Sequence, residues 1–368
     1  MTHVVVAPDK FKGSLTAPAV AAAVARGIGR VRPGVAVHQV PVADGGDGTV
    51  AAALAAGYAP VTAEVHGPTG ELVIATIAVR DEVAVVEVAS ACGLMLLPDG
   101  KFAPLTASSY GVGELLLVAA DAGCRTVVLG LGGSASTDGG AGIVVALGGS
   151  VVDAAGESLP PGGGALRHVV GVDLSTIDPR LSTMEFVLAT DVNNPLLGPE
   201  GAAPMFGPQK GADPAQVAEL AANLTVWSDL LAPALADRPG AGAAGGIGFA
   251  ALAVLDATVR PGIDLLLDLV GFAGHLAGAS LVITGEGSLD EQTLHGKAPI
   301  GVVRAARSAG VPSVAVAGRC LLDEQALADA GIGGCYALAD LEPDPAASMA
   351  NAGPLLERAA ARLAEDWL

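Results

Sequence analysis

The chain has 368 residues, long enough for two domains and a sizeable core. Only 15% of the residues are charged and 3% aromatic, so alanine and glycine carry most of the apolar content. A net charge of -19 excludes a nucleic-acid partner, which would require basic stripes, and any anionic substrate must be drawn in by local cations or by Mg²⁺.

The first strand is expected at residues 4–8. It ends in Asp9-Lys10-Phe11-Lys12-Gly13-Ser14, and a helix follows from Thr16, a good N-cap. Two lysines and an acid at a strand's carboxyl end sit where open α/β sheets bind ligands. A second strand at 35–42 delivers Asp44-Gly45-Gly46-Asp47-Gly48-Thr49 to the start of an alanine-rich helix. Asp44 and Asp47 suit a substrate hydroxyl or Mg²⁺, which takes one or two carboxylates and keeps its waters for phosphates. An Asx turn with a helix cap is the plainer reading of the same residues, of Asp47 above all.

The character then changes. Strands at 61–66, 72–79 and 83–88, with turn residues between them, predict mixed or antiparallel sheet. A helix is expected over 114–123. The central stretch follows at 127–147: an apolar strand, then Gly132-Gly133-Ser134-Ala135-Ser136-Thr137-Asp138-Gly139-Gly140, then an apolar helix. Bare backbone and hydroxyls can close around an anion, and Asp138 can cap the helix or hold a cation. Residues 151–179 read as a polar connection.

A strand at 186–189 leads to Thr190-Asp191-Val192-Asn193-Asn194-Pro195 and a stretch to residue 212 that reads almost wholly as loop, with Phe206 and Lys210 as its binding groups. Helices are expected over 214–235 and 263–271. Between them the glycine-rich 240–248 fits equally an anion cradle, a hinge or a tight helix contact. A buried strand at 281–284 ends in Gly285-Glu286-Gly287-Ser288, followed by Lys297 before the next helix. A strand at 311–317 and a last one near Tyr336 restore the βα rhythm of the first 57 residues. The expected architecture is α/β in two domains. One is a discontinuous Rossmann-like parallel-sheet domain (1–58 and 277–368); the other is an inserted mixed α/β domain (59–276). The active site is expected in the cleft between them.

Glycine loops, acids and a few lysines at strand ends are the kit of phosphoryl transfer. The P-loop pattern is missing, since neither Lys101 nor Lys297 has the upstream glycine or the following Ser/Thr. A rival reading comes from Gly130, Gly132 and Ala135, which match a dinucleotide fingerprint with Asp153 at the next strand end, as in an NAD(P)-dependent oxidoreductase.

Cys92, Cys124, Cys320 and Cys335 are widely spread, with no CxxC, and read as buried thiols in a reducing compartment. The chain enters a strand at His3 with no signal peptide before it, and 240–255 is too short and glycine-rich to span a bilayer. The expected location is cytoplasmic, with no membrane partner.

The motifs APDKFKGSLTA, PVADGGDGT, LGLGGSASTDGGAG, ATDVNNPLLG, FGPQKGA and TGEGSLDEQTLHGKAP resemble those of the bacterial type I glycerate kinase family over nearly the whole chain. The resemblance implies ATP- and Mg²⁺-dependent phosphorylation of D-glycerate, leaning toward 2-phosphoglycerate over 3-phosphoglycerate, by a monomer or homodimer. It implies Asp191, Lys10 and Asn193 as catalytic residues. Asp9, Lys12, Ser14, Asp44, Gly132, Gly133, Ser134, Asp138, Gly139, Gly140, Glu286, Ser288 and Lys297 are implied to bind substrate or phosphates, with Asp44 and Asp47 on the metal.

Overall fold

A computed structural model describes residues 3–294 and 296–368; His295 of the TLHGKAP motif, with Met1 and Thr2, lies outside the described residues. In chain order the strands are β1 (His3–Pro8), β2 (Ala36–Gln39), β3 (Ala59–His66), β4 (Leu72–Arg80), β5 (Val83–Glu87), β6 (Thr126–Gly130) and β7 (Ser150–Val152). There follow β8 (Gly171–Asp173), β9 (Glu185–Ala189), β10 (Thr258–Arg260), β11 (Ala279–Leu289), β12 (Ser313–Cys320) and β13 (Cys335–Ala337).

The chain divides into two compact units. The first holds Met1–Asp44, Ala51–Gly57 and Ile263–Leu368; the second holds Gly45–Val50 and Tyr58–Gly262. The first unit is built on a five-stranded sheet of order β13-β12-β11-β1-β2, parallel throughout. Parallel strands are covered on both faces, which is why β1 is a continuous apolar run, buried from end to end. Thr16 caps the helix Ala17–Val31, its hydroxyl accepting from the Ala19 N–H at 3.4 Å. That helix packs Val20, Val24 and Ile28 into one core with Leu356, Ala360 and Leu363 of the C-terminal helix Ala352–Trp367. Each such buried branched side chain contributes about 1.5–3 kcal/mol.

The second unit has a six-stranded sheet of order β10-β9-β6-β5-β4-β3, and β7 and β8 pair apart from it. Pairing is antiparallel for β3/β4 and β4/β5 and parallel for the rest. The carboxyl ends of β5, β6 and β9 therefore share one edge. Among the described residues no helix is long and apolar enough to cross a membrane.

Several elements differ from the sequence reading. The boundary after the inserted unit falls at Gly262 rather than 276, because Ile263, Leu266, Val270, Phe272 and Leu276 bury with Val5, Val42, Val282 and Val302 of the first unit. Gly45–Val50 groups with the second unit, because Glu87 at the end of β5 accepts the Gly48 and Val50 N–H groups at 3.1 and 3.0 Å. Strand β11 runs on to Leu289, pairing Glu286 with Ala317 and Ser288 with Arg319, so these polar residues are on a strand and not in a loop. The segment expected as loop after Pro195 holds a helix, Ala202–Phe206, and a 3-10 turn, Pro208–Lys210.

Candidate active site

In the first unit, β1 hands over to a tight turn in which Phe11 and Leu15 exchange backbone hydrogen bonds and the Ser14 hydroxyl donates to the Phe11 carbonyl at 3.1 Å. The Ser14 hydroxyl proton is thus spent on the turn. Lys12 is exposed and Lys10 half-buried. Asp9 is 8% exposed. Burial and the neighbouring Asp44 carboxylate push its pKa up to about 7, with Glu286 adding to the rise and Lys10 opposing it. Glu286 is likewise raised, first by burial; the Thr293 hydroxyl, which donates to it at 2.5 Å, and the Lys297 ammonium hold that rise back. Asp9, Asp44, Glu286 and Lys297 therefore act electrostatically as one group. Ser288 sits outside it, between Asp290, at 3.2 Å, and the Arg319 guanidinium, at 3.0 Å.

In the second unit, the glycine loop after β6 has two halves. Gly132 and the exposed Gly133 form a tip. Gly132 approaches another backbone closely: a Cβ there would lie 2.4 Å from the Gly46 Cα, so the 45–48 turn and the loop are fitted together. Ser134–Gly140 is buried instead. The Asp138 carboxylate is fully buried and accepts from the Ser109 N–H and hydroxyl, both at 2.8 Å, and from Gly140 and Gly142 at 3.1 and 3.3 Å. The helix N-terminus that an anion would use is already taken by a side chain of the same loop. Gly140, at φ +75°, packs so closely that a Cβ would stand 2.3 Å from that of Ala250. The Gly139 carbonyl accepts from the Trp227 indole N–H at 3.0 Å. Asp138, Gly139 and Gly140 thus shape the loop.

Asp191 and Asn193 are exposed at the end of β9, and Asp191 accepts from the Gly262 N–H at 3.1 Å. Asp47 is exposed on the 45–48 turn, and the helix cap it was expected to provide comes from Glu87. Asp44 and Asp47, read as one motif, fall in different units. Among the described residues there is no group of three or more His, Cys, Asp or Glu that could hold a metal.

Lys210, expected as a binding group of the segment up to residue 212, is a residue whose place the sequence does not give. It is 3% exposed, and its ammonium donates to the Ser134 hydroxyl at 2.8 Å and to the Ser136 carbonyl at 2.5 Å. Burial pushes its pKa down to about 8, against opposing pulls from Cys92 and Asp138. The stretch 240–248 is a tight contact beneath the same loop: a Cβ on Gly245 would meet the Ser136 carbonyl at 2.1 Å and the Lys210 Nζ at 2.8 Å.

The dinucleotide reading does not survive this geometry. Among the described residues strand β7 pairs with β8, antiparallel, and does not lie beside β6 as a dinucleotide fold requires. Asp153 spends its carboxylate on the Ala155 and Glu157 N–H groups of its own turn.

Acidic and glycine-bearing strand ends on two α/β units, without a P-loop, define a small-molecule phosphotransferase outside the P-loop class. The model of the glycerate kinase family matches residues 4–368. The chain is 43% identical over 342 residues to a glycerate kinase of Bacillus subtilis, covering 91% of this chain and 90% of the relative. It is 44% identical over 322 residues to the glycerate 2-kinase of Escherichia coli, covering 86% and 84%. The crystal structure of a protein assigned as glycerate kinase 2 from Salmonella typhimurium LT2 superposes with a TM-score of 0.84 at 38% identity, covering 99% of this chain and 98% of that one. This chain belongs to the glycerate kinase family.

Proposed function

We propose that the protein transfers the terminal phosphoryl group of ATP to D-glycerate, giving 2-phosphoglycerate and ADP. The family match across residues 4–368 carries this reading. The choice of the 2-oxygen is supported by the relative named glycerate 2-kinase.

Phosphoryl transfer asks a protein for positioning and charge stabilisation more than for covalent chemistry. The second unit supplies the exposed Gly132-Gly133 tip, whose backbone N–H groups suit phosphate oxygens, and Asp191, which orients the glycerate hydroxyl and takes its proton, with the Asn193 amide beside it. The first unit supplies Lys10, Lys12 and Lys297 as cations for phosphate and for the glycerate carboxylate. Ser134 is held by Lys210 at the base of the tip.

The acid group of the first unit fits Mg²⁺. Its donors are hard carboxylate oxygens, and Asp9 and Glu286, raised first by burial and then by neighbouring carboxylates, are groups whose charged form a bound cation would favour. Asp44, with Asp9 beside it, would hold the ion in the first unit, and Asp47 is the carboxylate that the second unit offers for the same role. When bound, Mg²⁺ would neutralise charge on the nucleotide phosphates. We place the reaction in the cytosol, where ATP and free thiols such as these four cysteines coexist.

The test is a ³¹P NMR spectrum of the protein with ATP, Mg²⁺ and D-glycerate. A phosphomonoester coupled to a single carbon-bound proton is expected. Coupling to two protons would move the phosphate to the 3-oxygen, and no ester at all would overturn the kinase reading.

A further inference from the structure

The second unit contains a cavity of about 320 Å³ that none of the roles above uses. It lies under the turn joining β3 to β4 and is walled by Pro68, Tyr110, Val145, Leu159, Pro161 and Leu166, with His66 and the first turn of the helix Ala141–Ala146 completing it. Because β4 runs against β5 and β3 against β4, this turn stands at the sheet edge that carries the glycine loop and Asp191. Ala141 and Gly142, which directly follow the loop, line the cavity as well, and between β6 and β3 there are three strand spacings, about 14 Å across the strands at about 4.8 Å each. That is within the reach of a nucleoside triphosphate laid along the edge with its phosphates at the loop.

Thr69, Ser108, Tyr110 and His66 bring polar atoms to the cavity, and of these the His66 imidazole is set in one orientation. The Glu114 carboxylate accepts both from the His66 backbone N–H at 2.7 Å and from ring Nδ1 at 2.9 Å. Tyr110 meets the same ring edge-on, with centroids 5.2 Å apart and planes at 86°. In the neutral ring a carboxylate on Nδ1 fixes the tautomer with the proton there, and Nε2 is then the acceptor. An apolar slot with one fixed acceptor suits a planar base that presents an amino group.

We propose that this cavity receives the adenine base of ATP, with the exocyclic amino group donating to His66 Nε2. The proposal rests on the kinase reading and goes beyond it by placing the base. Guanine presents a carbonyl where adenine presents its amino group, so two acceptors would face each other and GTP would be the poorer donor.

Val145 lines the cavity from the outer face of its helix and is 42% exposed, so Val145→Trp fills the slot without entering the core. The variant is expected to raise the KM for ATP at least tenfold, with the KM for glycerate and the melting temperature unchanged. His66→Ala is expected to narrow the preference for ATP over GTP at least fivefold. Hydrogen exchange on the unaltered protein with ADP should protect 66–70, 108–112 and 159–162. An unchanged KM for ATP in Val145→Trp, or ADP protection confined to other segments, would overturn the placement while leaving the kinase intact. Failure of the unaltered protein to bind ADP would overturn the kinase reading itself.

Discussion

Replacing Asp9 by Asn should stabilise the first unit, and more so as the pH rises. Asp9 is buried beside Asp44 and Glu286, and its pKa in the folded chain stands at about 7, against about 4 in an unfolded one. A carboxyl raised on folding binds more protons folded than unfolded between those two values. Its contribution is favourable below about pH 4 and is lost as pH rises through about 7. The whole displacement is worth about 4 kcal/mol at 1.36 kcal/mol per pH unit, and the part falling between pH 5 and pH 8 is about 2.5 kcal/mol. The assay is urea unfolding at pH 5 and pH 8 in EDTA, so that no divalent ion compensates the acids. Trp367 reports the first unit and the fully buried Trp227 the second, each at its own emission wavelength. With a slope of about 1–3 kcal/mol per molar, the gain of Asp9→Asn over the unaltered protein should grow by on the order of 1 M in the Trp367 midpoint between the two pH values. An equal shift at both, or a loss at pH 8, would refute the buried acid cluster as the cause.

Asp191→Asn should lower kcat by about 10²–10⁴-fold with the melting temperature within a degree or two, since Asp191 is exposed; an unimpaired Asn variant would remove Asp191 from the role of base. Lys210 has a folded pKa of about 8, below the ordinary lysine value near 10.4, so the unfolded chain holds the extra proton between them and stability should rise over that window by about 3 kcal/mol. Lys210→Met should flatten that rise, and it should also lower kcat by loosening Ser134, whereas a variant that keeps both the rise and full activity would contradict the loop-holding role. Gly140→Ala should cost at least about 2 kcal/mol, from its left-handed backbone and the contact with Ala250, while Gly29→Ala, in an open helical position, should gain about 0.5–1 kcal/mol; paired thermal melts decide both.

The parallel sheet of the first unit was legible because its strands are short apolar runs punctuated by polar residues, and β1, Thr16 and the helix Ala17–Val31 follow the expected pattern closely. The antiparallel start of the second unit was legible from its turn residues, down to the β3–β4 hairpin. The run through Glu286 was not, because a strand that carries Gly, Glu, Gly and Ser past its apolar part looks like a loop until β12 is known to extend beside it. The boundary at Gly262 was hidden for a related reason. A short amphipathic helix declares that it has an apolar face but not which core receives it, and here the core includes Val5 and Val282.

The candidate site shows the same division between composition and partnership. Five glycines, three hydroxyls and an acid between Gly132 and Gly142 read as a cradle for an anion, because each bare N–H is a potential donor. Whether a donor remains available depends on what else competes for it, and competition is a tertiary property. Asp138 takes the N–H groups of Gly140 and Gly142, the Gly245 carbonyl takes that of Gly139, and the Cys92 carbonyl takes that of Ala135. What stays open is the tip, half-buried Gly132 and exposed Gly133, while the buried Ser136 and Thr137 hydroxyls are left without a hydrogen-bond partner among the described residues. Most of the glycines are therefore there to let backbones approach, which pins the exposed tip against a rigid base. A phosphate-binding turn needs that rigidity as much as it needs donors, since preorganised N–H groups stabilise developing charge without first having to be ordered.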